Sequence, residues 1–124
     1  MRSVAAELSY VARLAKHSPV LERGQEVELA RRSRHFGDQR AADTLARAHL
    51  RAVMTMATKH RHYGVPVSEL IAEGNCGLVM AIERFDPERG VRFGTYAKYW
   101  IRAYILAYVI RCSNMLGGSG GLLR

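Results

Sequence analysis

The sequence predicts an all-α fold of several short helices in one domain. Apolar residues recur at three- and four-residue intervals along most of the chain, and no segment shows the sustained alternation of apolar and polar residues typical of a strand. The 124 residues suit one core better than two, and 48% hydrophobic with 24% charged residues can bury that core. We expect the helical domain to occupy residues 1–112. The remaining residues, 113–124, contain four glycines and are expected to form a flexible tail or the start of a linker.

Helix-capping and helix-breaking residues define two helices in the first part of the chain. Ser3 can cap the first helix and Pro19 ends it, and a second helix is expected over residues 22–34. Gly37 followed by Asp38 is typical of a helix stop and then a new N-cap. The first helix has its apolar residues at helical spacing, at Val4, Leu8, Val11 and Ala15.

Three more helices are predicted after this boundary. A long amphipathic stripe predicts one helix from residue 39 to about residue 62, ended by a turn at 63–66. Ser68 then caps a helix to residue 85, whose two glycines lower helix propensity by about 1 kcal/mol each and indicate close packing against another element. Residues 86–90 have the composition of a turn, and the last helix is expected from about residue 95 to residue 111.

The net charge of +8 favours polyanionic partners, of which nucleic acid and acidic membrane surfaces are the usual ones. The longest apolar run, residues 99–110, is interrupted by Arg102 and is shorter than the roughly 20 residues that span a bilayer. The first 18 residues lack the uninterrupted apolar segment of a secretory signal. We therefore expect a cytoplasmic protein with no membrane partner.

No group of residues in the sequence points to catalysis or to a bound cofactor. Cys76 and Cys112 lie far apart and outside any CxxC motif, so we interpret them as buried or incidental thiols. His60 and His62 are two residues apart and diverge on a helix, which argues against a metal pair. Because the sequence contains no P-loop, HExxH or Ser/His/Asp pattern, it predicts neither an enzyme nor a metal or cofactor site.

A change of charge sign marks the second half of the chain. Residues 69–88 carry five acids and one base, whereas residues 89–124 carry six bases and no acid. An acidic helix suits a basic protein surface and a basic helix suits a phosphate backbone, so the pattern indicates two different partners. Two solvated faces would give the same pattern, and charge alone leaves both interpretations open.

Aromatic residues are concentrated in the last helix, where apolar residues are expected on two faces. An exposed aromatic face beside cations suits unpaired bases, which stack on the rings at about 1 to 3 kcal/mol per base. Alternatively, the aromatic rings only complete the core, and the last helix then has no exposed aromatic face. At about 100° per residue, the predicted core face holds Ala97, Ile101, Tyr104, Ile105 and Tyr108, and the other face holds Tyr96, Tyr99, Trp100, Ala103 and Leu106.

The second half of the chain contains the stretch ELIAEGNCGLVMAIERFDPERGVRFGTYAKYWIRAYI. It closely resembles conserved region 2 of the bacterial RNA polymerase sigma factors of the sigma-70 family. Upstream, GDQRAADTLARAHLRAVMTMATKHRHYGVPVSELI and PVLERGQEVELARRSRHF resemble the preceding helix and region 1.2, so the resemblance covers about residues 19–111. The AHLRAVM segment and the Gly64–Val65 step before Pro66 resemble the heat-shock class. Members normally continue into further helical domains, so the resemblance implies a fragment or a truncated product.

The resemblance implies that the chain binds core RNA polymerase. In the family, the helix that matches residues 69–82 docks on the coiled coil of the largest polymerase subunit, which suits its acidic character. This chain has Ala72 where the family usually has Gln. An anti-sigma factor would be a further partner. The positions expected to contact core polymerase are Glu69, Leu70, Glu73, Asn75 and Val79.

The resemblance also implies contacts with promoter DNA, namely the single-stranded non-template minus-ten element, from which an adenine is flipped. The adenine pocket is matched by Phe85, Arg89, Thr95 and Tyr96. The aromatic pair at the upstream edge of the bubble is matched by Tyr99 and Trp100, and Phe93 is grouped with these DNA-contacting positions. Phosphates would be held by Arg92, Lys98 and Arg102. Ala103 and Leu106 stand where other members have polar residues that read the last duplex base pair, so hydrogen-bonded readout is not expected there.

Two alternative functions remain open on the sequence. A sigma-like interaction protein would occupy core polymerase, or bind another regulator, without opening DNA. A generic basic helical domain would prefer duplex DNA and would need no polymerase.

Overall fold

The structure, a computed structural model, describes residues 4–17 and 20–115. Within these ranges the chain forms six α-helices and two short 3₁₀ turns, with no strand. The predicted all-α fold is confirmed. The helices are α1 (Val4–His17), α2 (Arg23–Phe36), α3 (Gln39–Ala48), α4 (Leu50–Lys59), α5 (Val67–Arg84) and α6 (Phe93–Met115), and the 3₁₀ turns are Arg61–Tyr63 and Pro87–Arg89.

Local caps fix the junction between α2 and α3. Glu22 caps α2 in a reciprocal capping box, in which its backbone N–H donates to the Gln25 side chain at 3.0 Å. The helix ends at Gly37, whose φ of 61° lies in the left-handed region that favours glycine. The Asp38 carboxylate then accepts from the backbone N–H of Ala41 at 3.2 Å. The boundary predicted at Gly37 and Asp38 is confirmed.

His49 divides the single helix that the sequence predicts for residues 39–62, so that prediction is wrong. Its ring nitrogen Nδ1 lies 2.9 Å from the carbonyl oxygen of Leu45, the acceptor that an uninterrupted helix reserves for the backbone N–H of His49. That N–H turns to the Ala46 carbonyl instead. A side chain that takes an i−4 carbonyl interrupts the helical ladder and bends the chain. His60 repeats the arrangement at the end of α4.

Other boundaries differ from the predicted ones by a few residues. α5 begins at Val67 with Pro66 as its N-cap, so Ser68 lies inside the first turn and the predicted Ser68 cap is wrong. Proline already has a helical φ, of −55° here, and starts the helix before Ser68 can cap it. The predicted turn at 86–90 is confirmed, with Gly90 at a φ of 76°.

The described residues include only part of the predicted termini. α6 continues to Met115, past the predicted end at residue 111, because no helix breaker occurs before the glycines that start at residue 117. Residues 113–115 of the predicted tail therefore end α6. The predicted cap at Ser3, the stop at Pro19 and residues 116–124 lie outside the described residues. In the described ranges, no helix combines the length and apolar character needed to cross a membrane.

α5 and α6 pack closely against each other, and glycine makes this contact possible. A Cβ atom on Gly77 would lie 2.5 Å from the carbonyl oxygen of Trp100 and 2.9 Å from the Cα atom of Ile101. One on Gly74 would lie 2.8 Å from a methyl group of Val53. The close packing predicted from these two glycines is confirmed. The largest fully buried apolar side chains of the core are Leu45, Val53, Leu70, Leu78, Phe93, Ile101 and Ile105.

Replacing Gly77 by Ala should lower the free energy of unfolding by about 2 to 3 kcal/mol, because the new methyl group would meet the backbone of α6 rather than a flexible side chain. Urea denaturation followed by far-ultraviolet circular dichroism measures the change. Gly24→Ala is the matched control, since nothing lies within 4 Å of a Cβ atom there. That variant should keep its stability or gain about 0.5 to 1 kcal/mol from helix propensity. Equal stability of the two variants would contradict the close contact.

Candidate functional site

A buried carboxylate on α2 fixes the first residue of α6. The Glu26 side chain is 2% exposed, and its Oε2 atom accepts from the backbone N–H of Phe93 and from Nε of Arg92, both at 3.0 Å. Its Oε1 atom accepts from Nη2 of Arg92 at 3.3 Å. The first N–H groups of a helix have no partner inside that helix. Glu26 therefore caps α6 from another helix, and α6 begins two residues before the predicted start at Thr95.

The same contact directs Arg92 and Phe93 toward the protein. The hydrogen bond to Glu26 raises the pKa of the Arg92 guanidinium, which also donates to the Leu21 carbonyl at 3.3 Å. Phe93 is fully buried and packs edge-on against His49, with ring centroids 4.8 Å apart. Phe93 thus has no surface to offer a ligand, and the Arg92 guanidinium is already paired.

Four rings form a continuous line along one edge of α6, which we call the aromatic row. Ring centroids are 5.5 Å apart between Phe85 and Tyr96, 6.4 Å between Tyr96 and Trp100, and 6.5 Å between Trp100 and Tyr104. The three rings that α6 contributes are spaced by four residues and are half-buried. Each ring therefore supports the next. Part of the surface of the three α6 rings remains accessible, whereas Phe85 is 4% exposed.

The buried face of α6 is narrower than the sequence predicts. Tyr104 and Tyr108, expected in the core, are half-buried at its edge, and so are Tyr96 and Trp100, expected on the opposite side. The physical reason is that residues spaced by four form a row beside the core row and pack against its flank. Residues of α6 at most 2% exposed are Phe93, Ala97, Ile101, Ile105 and Val109, whereas Tyr99 is 75% exposed, Ala103 is exposed and Leu106 is half-buried.

A cavity of about 430 Å³ opens beside the Phe85 and Tyr96 end of the aromatic row. The structure brings three of the four residues expected in the adenine pocket to its wall, namely Phe85, Arg89 and Tyr96. Thr95 is exposed and does not line it. A volume of this order suits a small organic ligand such as a base. The sequence prediction missed the rest of the lining, which is Arg34, Arg84, Asp86 and Val91.

Hydrogen bonds hold the wall of this cavity in place. Nη1 of Arg34 donates to the Phe85 carbonyl at 2.8 Å, and the Tyr96 hydroxyl donates to the Arg84 carbonyl at 3.4 Å. Arg34 comes from α2, far from the other lining residues in sequence, so no local pattern could have identified it. Arg84 is adjacent to Phe85 and could have been found from that position.

One cation lies over the aromatic row, and two more lie on the opposite flank of α6, because residues two apart on a helix diverge by about 200°. The Arg84 guanidinium carbon lies 5.4 Å from the centre of the Trp100 ring, within cation–π range. Lys98 and Arg102 are exposed, and neither side chain has a hydrogen-bond or ion-pair partner among the described residues. Tyr99, which lies between Lys98 and Arg102 in the sequence, is also exposed. The surface of α6 therefore carries accessible rings on one flank and exposed cations on the other, with Tyr99 on the solvent side between them.

The outer face of α5 presents residues at alternating spacings of three and four, which we call the α5 face. Of the five positions expected to contact polymerase, Glu69 and Val79 are exposed there, with Val79 at 51%. Glu73 and Asn75 are half-buried, and Leu70 is fully buried in the core. The sequence prediction missed Cys76 and Glu83, although the three-and-four spacing could have identified both. The exposed residues of the α5 face are Glu69, Ala72, Cys76, Val79 and Glu83.

A groove of about 350 Å³ adjoins one end of the α5 face. It lies between α5 and the α2–α3 junction, and it includes Val79 and Glu83 of the α5 face. Ala42 and Asp43 of α3 line its other side. The α5 face therefore continues onto α3 with apolar and acidic side chains, and Arg34 of α2 also lines this groove.

Residues of α6 partner two acids of α5 at the other end. The Tyr108 hydroxyl donates to Oε1 of Glu69, and this hydrogen bond raises the pKa of Tyr108 above its ordinary value. Nη2 of Arg111 lies 3.6 Å from Oε1 of Glu73. One acid of α5 is thus paired with a base of α6, and a second accepts a hydrogen bond from that helix.

Known proteins resemble this chain over most of its length. Residues 45–111 match the family described as Sigma-70 region 2. The chain is 47% identical to the RNA polymerase sigma factor RpoH of Zymomonas mobilis over 86% of the chain and 35% of that protein. It is 46% identical to RpoH of Rhizobium radiobacter over 79% of the chain and 33% of that protein. It is 44% identical to the RNA polymerase sigma-C factor of Myxococcus xanthus over 75% of the chain and 31% of that protein. The chain spans about a third of the length of these curated relatives.

Replacing Glu26 by Gln should lower the free energy of unfolding by about 2 to 3 kcal/mol, because the neutral amide leaves Arg92 and the Phe93 N–H without their buried charged acceptor. Thermal and urea unfolding measure the change. Glu88→Gln is the matched control, since it breaks the half-exposed pair with Arg31 at 2.6 Å, where solvent screens the interaction. The control should unfold much like the unchanged chain. Equal losses in the two variants would contradict a special role for the buried carboxylate.

Proposed function

The chain belongs to the sigma-70 family of RNA polymerase sigma factors, of the heat-shock type, and on this premise we propose that it binds core RNA polymerase and recognises and melts the minus-ten promoter element. In this proposal α6 and the cavity beside it bind the single-stranded non-template strand. The α5 face docks on the coiled coil of the largest polymerase subunit.

The cavity beside the aromatic row is the observation that supports promoter melting most directly. Phe85 and Tyr96 lie at its wall with ring centroids 5.5 Å apart, and Arg89 lines it with them. Extruding a base costs a few kcal/mol of stacking and pairing, and stacking on an aromatic ring returns about 1 to 3 kcal/mol. A cavity that is filled only by the extruded adenine therefore couples opening of the duplex to recognition of its sequence.

The rest of the α6 surface supplies further DNA contacts in this proposal. Tyr99 and Trp100 would stack at the upstream edge of the open segment, and Lys98 and Arg102 would bind phosphates. Arg92 acts through Glu26 in this proposal, by holding the start of α6 rather than a phosphate. Phe93 supports the cavity from behind, because it packs edge-on against Phe85 at 5.1 Å.

The α5 face suits a basic partner helix with some apolar surface. It combines the exposed acids Glu69 and Glu83 with the exposed side chain of Val79. Residues spaced by three and four form a stripe of the kind that packs against another helix. Charge complementarity with a basic coiled coil would steer the encounter, and apolar contact would add affinity. An anti-sigma factor would compete for the same face.

One observation favours a second candidate, a sigma-like interaction protein that occupies polymerase without opening DNA. Phe93 is buried, Arg92 is half-exposed but paired with Glu26, and apolar Ala103 and Leu106 stand at the position expected to face the last duplex base pair. These features reduce the number of DNA contacts available. They leave the α5 face unaffected.

The double variant Tyr96→Ala/Trp100→Ala should lose its preference for the minus-ten sequence by about tenfold or more, because each ring contributes stacking energy, while binding to core polymerase is retained. Fluorescence anisotropy of a labelled single-stranded minus-ten oligonucleotide, measured with core polymerase and against a scrambled oligonucleotide, gives the preference. Phe36→Ala is the control, since Phe36 is 81% exposed and belongs neither to the aromatic row nor to the α5 face.

In the unchanged chain, the fluorescence of Trp100, the only tryptophan, should be quenched by the minus-ten oligonucleotide in the presence of core polymerase. Binding to polymerase without sequence preference would favour the second candidate. Equal losses of polymerase and DNA binding in the double variant would contradict two separate surfaces, and failure of the unchanged chain to bind polymerase would contradict both candidates.

Replacing Val79 by Lys should weaken binding to core polymerase about tenfold, because it removes apolar contact and places a positive charge before a basic partner. Ile110→Lys makes the same kind of change on α6, where the side chain is 56% exposed against 51% for Val79. Titration of labelled chain with core polymerase compares the two variants. Equal affinities would argue against docking through the α5 face.

A further inference from the structure

The cavity beside the aromatic row carries more positive charge than an uncharged base requires. Three guanidinium groups and one carboxylate line it, those of Arg34, Arg84, Arg89 and Asp86, which leaves an excess of two positive charges. The backbone N–H of Glu88, helped by Arg34 and Arg89, holds the pKa of Asp86 below its ordinary value, so this carboxylate is ionised at neutral pH. Stacking on the half-buried Tyr96 ring, backed by the buried Phe85, explains how a base is bound, but it gives the excess charge no role.

Arg34 is the cation of this cavity whose position is best defined. Its Nη1 atom donates to the Phe85 carbonyl at 2.8 Å, and among the described residues this is the only hydrogen bond of its side chain. A guanidinium has several N–H donors in a rigid fork, so anchoring one nitrogen leaves others for an anion. Arg84 is instead held over a ring of the aromatic row, and the Arg89 side chain is mostly exposed.

The position of Arg34 also separates it from the DNA contacts considered so far. It belongs to α2, whereas every residue expected to contact DNA lies between residues 85 and 106. The hydrogen bond to Phe85 places its guanidinium at the end of α5, where the buried ring that backs Tyr96 begins. A phosphate on either side of a base stacked in this cavity would lie near that guanidinium.

We propose that the cavity binds a whole nucleotide, the extruded base together with a neighbouring phosphate, and that Arg34 is the residue that binds this phosphate. The inference rests on the proposed function, because it concerns the same cavity. Stacking confers sequence preference, whereas a phosphate is identical in every nucleotide and adds affinity alone. Arg34 therefore contributes salt-dependent affinity and leaves the sequence preference unchanged.

The test measures binding of the labelled single-stranded minus-ten oligonucleotide to the complex of the full chain with core polymerase, at several KCl concentrations. Arg34→Gln should reduce the slope of log affinity against log salt by about 0.7, the value for one phosphate contact on a single strand. Arg34→Lys retains a donor and the charge and should keep the slope. Preference over the scrambled oligonucleotide should be the same in all three proteins.

Neutralising the phosphates identifies the partner of Arg34. Methylphosphonates replace, one at a time, the two phosphates that flank the flipped adenine. Replacing one of these phosphates should reduce the affinity of the unchanged chain about fivefold, as expected for the loss of a charge-assisted hydrogen bond. The same replacement should leave the affinity of the Arg34→Gln variant unchanged, because that variant has already lost the contact. Independent, additive losses at both phosphates would overturn the assignment.

Arg47→Gln is the matched control, because Arg47 is an exposed arginine of α3 that does not line the cavity. Its salt slope should equal that of the unchanged chain, and an equal drop in both variants would overturn the proposal by attributing the effect to overall charge. Thermal unfolding checks that Arg34→Gln folds. An unchanged chain that lacks minus-ten preference would contradict the proposed function. An unchanged chain with that preference and an Arg34→Gln variant with an unaltered slope would contradict only the role of Arg34.

Discussion

The buried carboxylate of Glu26 is the contact on which the proposed DNA-binding end of this protein depends. Apolar and aromatic residues lie on several sides of α6, so a hydrophobic stripe alone does not fix how this helix is rotated. Two other contacts fix it. Glu26 caps its first residue, Phe93, and the absence of a side chain at Gly77 lets α5 approach its backbone at Trp100. Because these two contacts fix the position and rotation of α6, Tyr96 and Trp100 lie along the edge of α6 at which Tyr96 lines the cavity.

The same pair of helices presents two surfaces with opposite charge. The inner side of α5 packs on α6, so its outer side is left to the residues of the α5 face, while α6 directs its cations and rings away from them. The surfaces meet at one end, where Tyr108 and Arg111 of α6 contact Glu69 and Glu73 of α5. α2 contributes two residues to this arrangement. Glu26 is the buried acid that caps α6, and Arg34 lines the cavity. Contacts from α2 therefore support the surface that α6 presents.

Much of the local structure could be predicted from the sequence because its causes are local. The left-handed Gly37 and the Asp38 cap, like the turn at residues 86–90, involve atoms only a few residues apart. The cavity residues Phe85, Arg89 and Tyr96 lie within one matched motif, and the structure brings them together. The same motif also included Phe93 and Leu70, which are fully buried, because spacing along a helix does not reveal which side a neighbouring helix covers.

The sequence by itself determined the fold class, the main helix boundaries and the charge change between α5 and α6, since these follow from residue type, capping and periodicity. Only the tertiary structure decided where α6 begins, because its cap is supplied by Glu26 from α2, far away in sequence. It also decided the break at His49, where an imidazole takes the carbonyl of Leu45 and packs on Phe93, and the presence of Arg34 in the cavity. Each of these features depends on side chains that meet only when the helices pack, so no local sequence pattern specifies them.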